Sequence, residues 1–372
     1  MQFIDLKSQY ERVRDDLDKR VLSVLASQRY IMGPEIFELE AKLADFVGVN
    51  HAVACGSGTD ALVIALMSYG LTANDAVFVP SFTFFASAEA ISLAGGTPVF
   101  VDIDSSDFNI SVSALEDSIE KVRAEGKLVP RGIITVDLFG RLADYDAIEE
   151  IARREGLFVL EDACQGFGAS KDGKRACSFG NAAATSFFPA KPLGCYGDGG
   201  CVFTDDDSLA DLFRSIRVHG GGKDKYDNVR MGINGRMDTV QAAVLLSKLT
   251  VFEDELIARQ RVADYYEAGL SDVLKTPSKG AGTSAWAQYT LLADSAEQRD
   301  RILAGMKAVG VPSAVYYPIP IHRSAAYSYL GYGEGSLPVT EDFSARVFSI
   351  PMHPYLTPEV QDEIINAVRS SL

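Results

Sequence analysis

Short apolar runs alternate with helical patterns along the first two thirds of this chain of 372 residues. The runs are continuously apolar, which is typical of strands buried on both faces of a parallel sheet. They span residues 77–79, 98–101, 132–136, 157–160 and 183–188, and helical patterns separate them at residues 60–68, 86–93, 112–125 and 144–155. This alternation predicts an α/β fold with a mainly parallel, doubly wound sheet. Ligands of such sheets bind at the carboxyl ends of the strands.

The last third of the chain is organised differently. A helical stretch over residues 237–269, with a break near Leu249, leads into a Gly/Ser/Thr-rich segment at residues 278–284. A strand (288–292), a helix (296–309) and a final helix (357–370) then predict a smaller C-terminal α+β domain. We therefore predict a large domain at residues 1–249 and a small domain at 250–372. The N-terminal segment, helical up to about Phe46, is expected to pack on the small domain.

Composition excludes several classes of protein. The chain has 51 acidic and 35 basic residues, a net charge of −16, which disfavours non-specific nucleic-acid binding. Five cysteines without metal-ligand spacing are typical of reduced thiols in a cytoplasmic protein, so no metal site is expected. The N-terminus has no signal-peptide pattern, and no apolar run approaches ~20 residues. We predict a cytoplasmic protein without a nucleic-acid or membrane partner.

A turn of small residues precedes the first helix of the predicted sheet domain. It reads Cys55-Gly56-Ser57-Gly58-Thr59 and opens directly into an apolar helix. Backbone N–H groups at such a helix start can hold a phosphate, and glycine lets the backbone come close to it. An ordinary helix cap has the same appearance, so this motif taken alone leaves both interpretations open.

Asp162 and Lys191 follow two neighbouring apolar runs and suggest a pyridoxal phosphate site. A carboxylate can keep the pyridine nitrogen of this cofactor protonated, and a lysine can bind its aldehyde and then move protons. Gln165 could donate an amide hydrogen to the phenolic oxygen of the cofactor, and Ser186 offers a hydroxyl to the phosphate. A solvated lysine is the commoner case, but the setting Pro189-Ala190-Lys191-Pro192 is unlike a solvated charged face.

Three other segments carry candidate binding residues. Phe84 could lie on the cofactor ring, although with twenty phenylalanines in the chain a core position is the simpler explanation. Asn234 and Arg236 follow a polar loop at residues 223–230 and suit a phosphate, or simply a solvated surface. The loop that begins with Tyr316 and Tyr317 and reaches His322 could line a sugar or nucleotide site, or pack between domains. These substrate-side candidates are Arg236, Tyr316, Tyr317 and His322.

These motifs occur in one order along one chain and resemble the DegT-type nucleotide-sugar aminotransferases. That family has the fold of aspartate aminotransferase, known as fold type I of pyridoxal phosphate enzymes. The resemblance runs nearly end to end and rests on motifs at residues 58–61, 83–84, 161–165, 186–194 and 232–237. It implies that Lys191 is the Schiff-base lysine, that Asp162 faces the pyridinium, that Gln165 lies near the phenolic oxygen and that Phe84 stacks on the ring. It also implies phosphate contacts from Gly58, Thr59 and Ser186.

The resemblance further implies a homodimer with shared active sites. Asn234 would reach the phosphate of the other subunit with Arg236 beside it, and Tyr316 and Tyr317 would lie near the sugar nucleotide. Residues 186–200 and the Tyr-Pro-Ile-Pro loop are most similar to members that aminate UDP-2-acetamido-2-deoxy-3-oxo-glucuronate with L-glutamate. Residues 220–229 and 321–323 depart from those members.

The sequence therefore predicts a pyridoxal phosphate-dependent sugar-nucleotide transaminase of the EC 2.6.1 type. Three alternatives stay open. The acceptor could be another 3-keto or 4-keto sugar carried by dTDP, GDP or UDP. The related sugar dehydratases replace the Schiff-base lysine with histidine, so Lys191 argues against that reaction. A non-catalytic regulatory protein of the same fold is the third alternative, and the complete set of Lys191, Asp162 and Gln165 gives no reason to prefer it.

Overall fold

The structure is a computed structural model that describes residues 1–224, 226–278, 280 and 282–372. Lys225 of the polar loop, and Lys279 and Ala281 of the Gly/Ser/Thr-rich segment, lie outside the described residues. The helices are α1 (Leu6–Ser27), α2 (Pro34–Val47), α3 (Gly58–Ser68), α4 (Ala86–Leu93), α5 (Val112–Glu125), α6 (Tyr145–Glu155), α7 (Asp207–Ile216), α8 (Thr239–Leu249), α9 (Phe252–Leu270), α10 (Ala296–Ala308), α11 (Pro338–Arg346) and α12 (Pro358–Arg369). The strands are β1 (His51–Cys55), β2 (Asp75–Pro80), β3 (Thr97–Val101), β4 (Val129–Val136), β5 (Phe158–Asp162), β6 (Ser170–Lys171), β7 (Lys174–Arg175), β8 (Ala182–Ser186), β9 (Gly200–Thr204), β10 (Tyr289–Leu292) and β11 (Val347–Ile350).

Seven strands form the central sheet, in the order β1-β9-β8-β5-β4-β2-β3. The pairs β5–β8, β4–β5, β2–β4 and β2–β3 are parallel, whereas β9 runs antiparallel to both of its neighbours. The predicted α/β class with a mainly parallel sheet is therefore confirmed. Strands β1 and β9 were not predicted, because their apolar runs are short and adjoin the glycine-rich turns at residues 56–58 and 197–200.

The sheet is buried on both faces, which explains why its strands are continuously apolar. Along β1, Ala52 and Ala54 belong to the hydrophobic core on one face, and Val53 and Cys55 belong to the core on the other. This is the two-residue period of a strand with helices on each side. The carboxyl ends of the parallel strands consequently share one edge, where functional loops can meet.

The C-terminal part of the chain has a separate hydrophobic core. Strands β10 and β11 pair antiparallel, and α9, α10 and α12 pack around them with Tyr266, Leu291, Ile302 and Phe348 in the interior. The long helical stretch breaks after Leu249, as predicted, since α8 ends there and α9 begins at Phe252. The division into domains at residues 249 and 250 itself stays a prediction.

Helices α1 and α2 form as predicted, and both pack against α8. The first residues also bond to the C-terminal part of the chain. The Phe3 carbonyl accepts from Met352 N at 3.3 Å, and Gln9 Nε2 donates to Glu255 Oε2 at 2.8 Å. The N-terminal segment therefore contacts both parts of the molecule.

Within residues 1–224, 226–278, 280 and 282–372, no helix combines the length and the apolar composition that a bilayer crossing requires.

Candidate active site

A cavity of about 430 Å³ lies at the carboxyl edge of the parallel strands. The carboxyl ends of β4, β5 and β8 and the loops after β1, β2, β5 and β8 supply most of its wall, and residues 288, 316 and 317 close it from the C-terminal part of the chain. Nine of the twelve residues predicted for the site line this one cavity. They are Gly58, Thr59, Phe84, Asp162, Gln165, Ser186, Lys191, Tyr316 and Tyr317.

The start of α3 forms a cradle suited to an anion. Ser57 caps the helix, because its Oγ accepts from Asp60 N at 3.0 Å and its carbonyl accepts from Ala61 N at 3.0 Å. The N–H groups of Gly58 and Thr59 precede this first helical bond, so they are available to a ligand. A side chain at position 58 would not fit, since an added Cβ would lie 2.6 Å from Ser186 Cβ.

The cradle also carries negative charge. Asp198 lines the cavity beside it, and Asp60 lies in the first turn of α3. Burial raises the pKa of Asp60, and the charge of Asp198 raises it further. Among the described residues that line the cavity, Lys191 is the sole cationic side chain. A dianionic phosphate bound here would therefore need positive charge from outside this set.

Asp162 is buried at the end of β5 and is held in one orientation. Ser87 Oγ donates to its Oδ2 at 2.6 Å, and Cys164 N donates to its Oδ1 at 3.1 Å. Thr83 Oγ1 lies 3.1 Å from Ser87 Oγ and extends this network. A carboxylate fixed in this way is a pre-oriented acceptor for a ring N–H.

Gln165 connects the large sheet to the aromatic loop. Its Oε1 accepts from Phe139 N at 2.8 Å, and its Nε2 donates to Tyr317 OH at 2.9 Å. The amide nitrogen carries two hydrogens, so one stays available to a ligand in the cavity. Burial raises the pKa of the Tyr317 phenol, which therefore stays a neutral hydroxyl.

Lys191 lies on a loop that is fastened at both ends. Its backbone N–H donates to Phe188 O at 2.9 Å, and Cys195 N donates to Phe187 O at 2.8 Å. Lys248 in α8 is fully buried beneath the loop and donates from Nζ to Gly194 O at 2.6 Å. Burial lowers the pKa of Lys248 to about 8. Because these bonds fix the loop, Lys191 has a defined position in the cavity wall.

His322 is not brought into the cavity. It is 1% exposed, its Nδ1 lies 2.7 Å from Ser81 Oγ, and its Nε2 lies 3.1 Å from Glu341 Oε1. Burial lowers the pKa of the ring. Since both ring nitrogens have partners inside the protein, the structure places His322 outside the residues that line the cavity, and its substrate contact stays a prediction.

Asn234 and Arg236 do not line this cavity either. Asn234 is exposed, and its segment passes behind the phosphate turn, where Gly56 N donates to Gly235 O at 2.9 Å. Arg236 is half-buried, and its Nε has no hydrogen-bond partner within the described part of the chain. Within one chain, therefore, neither side chain reaches the cradle formed by the same chain.

Gln288 is a candidate that sequence reasoning missed. It lines the cavity from the segment just before β10, and its Oε1 is buried without a partner among the described residues. Its neighbour Ala287 donates from N to Phe139 O at 3.1 Å, and Phe139 N in turn bonds Gln165. Nothing in the sequence marks Gln288, because this contact depends on how the C-terminal part docks against the turn at residues 138–140.

The residues present fit pyridoxal phosphate. The start of α3 lines the cavity with Gly58 and Thr59, whose N–H groups precede the first helical bond, and Ser186 packs directly beside Gly58. Asp162 offers an oriented carboxylate, Lys191 an amine, and Phe84 an exposed ring, all on one cavity. This donor set matches the phosphate, the ring nitrogen, the aldehyde and the ring face of that cofactor.

The fold and the cavity together define a pyridoxal phosphate-dependent enzyme of fold type I. Structural neighbours of this chain have been solved with pyridoxal phosphate or pyridoxamine phosphate bound. Residues 11–369 match the DegT/DnrJ/EryC1/StrS aminotransferase family, so the chain belongs to that family. The predicted family, transferase class and cofactor are confirmed.

Several individual proteins are similar over nearly the whole chain. The UDP-2-acetamido-2-deoxy-3-oxo-D-glucuronate aminotransferase of Pseudomonas aeruginosa is 46% identical over 96% of each chain. A pleiotropic regulatory protein of Geobacillus stearothermophilus is 40% identical over 98% of this chain and 96% of its own. A crystal structure of a DegT DnrJ EryC1 StrS aminotransferase from Brucella abortus is 50% identical, with a TM-score of 0.96 over 100% of this chain and 99% of that one.

Proposed function

We propose that this chain transfers the amino group of L-glutamate to a nucleotide-linked keto sugar, with UDP-2-acetamido-2-deoxy-3-oxo-glucuronate as the foremost acceptor. The observation that carries the proposal is that Lys191, Asp162 and the Gly58 cradle line one cavity. The choice of acceptor is supported by the 46% identity to the Pseudomonas aeruginosa enzyme over 96% of both chains. The overall exchange yields 2-oxoglutarate and the 3-amino sugar.

Bound pyridoxal phosphate supplies an aldehyde that exchanges amines and a protonated ring that withdraws electrons from the reacting carbon. The phosphate would be held by the first N–H groups of α3 at Gly58 and Thr59 and by the Ser186 hydroxyl. Phe84 would cover one face of the ring. These contacts fix the position of the ring before any proton moves.

The proton transfers fall to two side chains. Asp162 would keep the ring nitrogen protonated, aided by its bonds from Ser87 and Cys164 N. The Lys191 amine would hold the cofactor at rest and, once released by the incoming amine, carry a proton at the substrate carbon. Gln165 would donate its free amide hydrogen to the phenolic oxygen, while its other hydrogen stays on Tyr317.

The substrate side of the site would be formed by the aromatic loop and by a second subunit. Tyr316, Tyr317 and Gln288 line the cavity opposite the sheet and are placed to contact the sugar. We propose a homodimer in which Asn234 reaches the phosphate of the other subunit and Arg236 lies beside it. The support is electrostatic, since Lys191 is the sole cation among the described lining residues and Asp198 adds negative charge.

An exposed apolar surface near Asn234 also supports a dimer. Ile31 is 51% and Met231 is 83% exposed. Ile31 is bridged to Asp238, four residues beyond Asn234, and Met231 precedes Asn234 by three. Two segments adjoining Asn234 thus carry large exposed apolar side chains, as an interaction surface there would require.

A half-reaction assay tests the function. The holoprotein is first converted with L-glutamate to its amino form, which should abolish the visible band of the cofactor. A panel of 3-keto and 4-keto nucleotide sugars is then added, and return of the visible band identifies the acceptor. Recovery with UDP-2-acetamido-2-deoxy-3-oxo-glucuronate is the expected result. A holoprotein whose band ignores every amino donor would instead favour a regulatory role, as the name of the Geobacillus relative suggests for that protein.

A further inference from the structure

Two carboxyl groups that the proposed reaction does not use lie buried behind the active site. Asp137 follows β4 and Glu161 lies in β5 next to Asp162, and both are 0% exposed. Their side chains are in hydrogen-bonding contact with each other. Two adjacent buried anions would repel strongly, so such a contact requires one proton between them.

The surrounding donors show which carboxyl group carries that proton. Glu161 accepts from two backbone N–H groups, Cys177 N on Oε1 at 2.6 Å and Phe179 N on Oε2 at 2.9 Å. Both of its oxygens are thus used as acceptors, as in a carboxylate.

Asp137 has the complementary arrangement. Its Oδ1 accepts from Ala143 N at 3.1 Å and from Tyr145 OH at 2.9 Å. Its Oδ2 is buried and has no acceptor-type bond within the described residues. A proton on Oδ2 converts this atom into a donor to Glu161 and leaves no buried oxygen unsatisfied. Burial raises the pKa of both carboxyl groups, which agrees with one retained proton, while their mutual contact lowers the pKa of Asp137 and raises that of Glu161. The hydrogen-bond donors around the pair, and not these shifts, place the proton on Asp137.

The pair touches both ends of the turn that carries the cofactor contacts. Asp137 N donates to the carbonyl of Asp162 at 3.1 Å. At the other end Gly166 packs directly on Asp137, because an added Cβ there would lie 2.5 Å from Asp137 Cβ and 2.6 Å from its Oδ2. Two residues beyond Asp137, Phe139 N donates to Gln165 Oε1 at 2.8 Å. Displacing Asp137 would therefore move Asp162 and Gln165 together.

We propose that Asp137 carries a proton on Oδ2 and donates it to the Glu161 carboxylate, and that this buried pair positions Asp162 and Gln165 against the cofactor. Both are positioning residues, since neither lines the cavity. The inference rests on the proposed roles of Asp162 and Gln165 and is independent of which sugar is the acceptor.

Reciprocal amide substitutions test the location of the proton. In Asp137→Asn the side-chain NH₂ can replace the acid O–H as donor to Glu161, so cofactor affinity should stay within about threefold of wild type. In Glu161→Gln the new NH₂ must face the N–H of Cys177 or of Phe179. Affinity should then fall by roughly tenfold or more, because a buried donor is left unpaired. The proposal is overturned if Asp137→Asn weakens cofactor binding more than Glu161→Gln does, or if both variants weaken it equally.

Two further measurements do not depend on turnover or on Glu161→Gln folding. Infrared spectra of the holoprotein at neutral pH should contain a protonated carboxyl C=O band that disappears in Asp137→Asn, and its persistence in that variant would refute the assignment.

The pH at which the visible band of the bound cofactor changes should match wild type in Asp137→Asn and differ in Asp137→Leu. An unchanged midpoint in Asp137→Leu would exclude a positioning role. If Asp162→Asn leaves the pH midpoint of the cofactor band unchanged, the proposed role of Asp162 fails. The infrared result would still show whether Asp137 carries the proton.

Discussion

At the scale of single residues, the site depends on side chains that are held before any ligand arrives. Asp162 has a donor on each oxygen, and Ser87, one of those donors, is itself in contact with Thr83. Gln165 is fixed from both ends of its amide by Phe139 N and Tyr317 OH. Pre-orientation of this kind means that little conformational entropy is lost when the cofactor binds.

Replacing Asp162 with Asn should separate binding from chemistry. The variant keeps the shape of the side chain and one acceptor oxygen, so it should still bind some cofactor. It loses the charge that keeps the ring nitrogen protonated, and the half-reaction with L-glutamate should slow on the order of 10²-fold or more. Single-turnover absorbance kinetics measure this step. Asp117→Asn, an exposed carboxylate on α5, is the matched control and should react like wild type. A wild-type rate in Asp162→Asn would show that another group protonates the ring.

Sequence patterns found the residues that end strands but not those that depend on docking. Asp162 and Lys191 were predictable because each follows an apolar run and the carboxyl ends of parallel strands meet. Gln288 and the burial of His322 were not, since both result from how the C-terminal part packs on the sheet. The bond between Ser81 and the His322 ring joins residues 241 positions apart, which no local pattern encodes.

At the scale of elements, the start of α3 is the feature on which phosphate binding depends. The helix begins where β1 ends, and Gly58 lets its first turn approach Ser186 more closely than any side chain would permit. At the facing start of β9, a Cβ on Gly200 would lie 2.3 Å from Ser57 O. The glycines on both sides thus allow the backbone itself to form the cradle.

Gly58→Ala should weaken cofactor binding without unfolding the protein. The added methyl group would lie 2.6 Å from Ser186 Cβ, so α3 or β8 must shift by a few tenths of an ångström or more at the phosphate. We expect the dissociation constant of the cofactor to rise by roughly tenfold or more, since a helix-terminus anion site depends on N–H geometry. Fluorescence titration of the apoprotein measures it. Gly333→Ala is the control because an added Cβ there meets nothing within 4 Å. Equal affinities in both variants would contradict a phosphate site at Gly58.

The element pattern also shows where prediction from sequence ends. The five strands predicted for the large sheet are parallel, and their helices lie where the 3.6-residue period placed them. The antiparallel direction of β9 could not be predicted, because it is set by the glycine-rich loop at residues 197–200 and by pairing with β1 and β8. An apolar run alone specifies burial but not direction.

At the scale of the whole molecule, the cavity of one chain is electrostatically incomplete. Lys191 is the single cation among its described lining residues, and Asp198 lies beside the phosphate cradle. Asn234 and Arg236 lie behind that cradle rather than in it. In the proposed homodimer, the second subunit would bring its own Asn234 and Arg236 to this cavity and complete it.

Mixed dimers test the shared site. Lys191→Ala and Asn234→Ala homodimers should each have little activity, because every site in them lacks one component. After the two are unfolded together and refolded, mixed dimers should regain activity, since one of their two sites then combines both wild-type residues. Asn228→Ala, on the preceding loop, replaces Asn234→Ala in the control mixture. Absence of recovery, or full activity of Asn234→Ala alone, would contradict a shared site.

Acid stability should depend on a histidine that joins the N-terminal segment to the C-terminal core. Burial lowers the pKa of His353 to about 4, from an ordinary value near 6.5. Between pH 6.5 and about pH 4 the unfolded chain therefore binds a proton that the folded chain excludes. His353 consequently lowers the free energy of unfolding as the pH falls through this range, by up to about 3 kcal/mol. His353→Gln should reduce the loss between pH 7 and about pH 4 in urea denaturation curves. The same pH dependence in the variant would assign the effect to other groups.

The proposed function requires that Lys191 holds the cofactor, and reduction of the holoprotein with borohydride shows which lysine does so. Treatment of the holoprotein fixes the cofactor covalently to the amine that carries it, and peptide mass spectrometry then locates the addition. We predict a single pyridoxyl-phosphate adduct on the peptide that contains Lys191, abolished when L-glutamate is added before the reductant. An adduct on the buried Lys248 or on any other lysine, or none at all, would contradict the account.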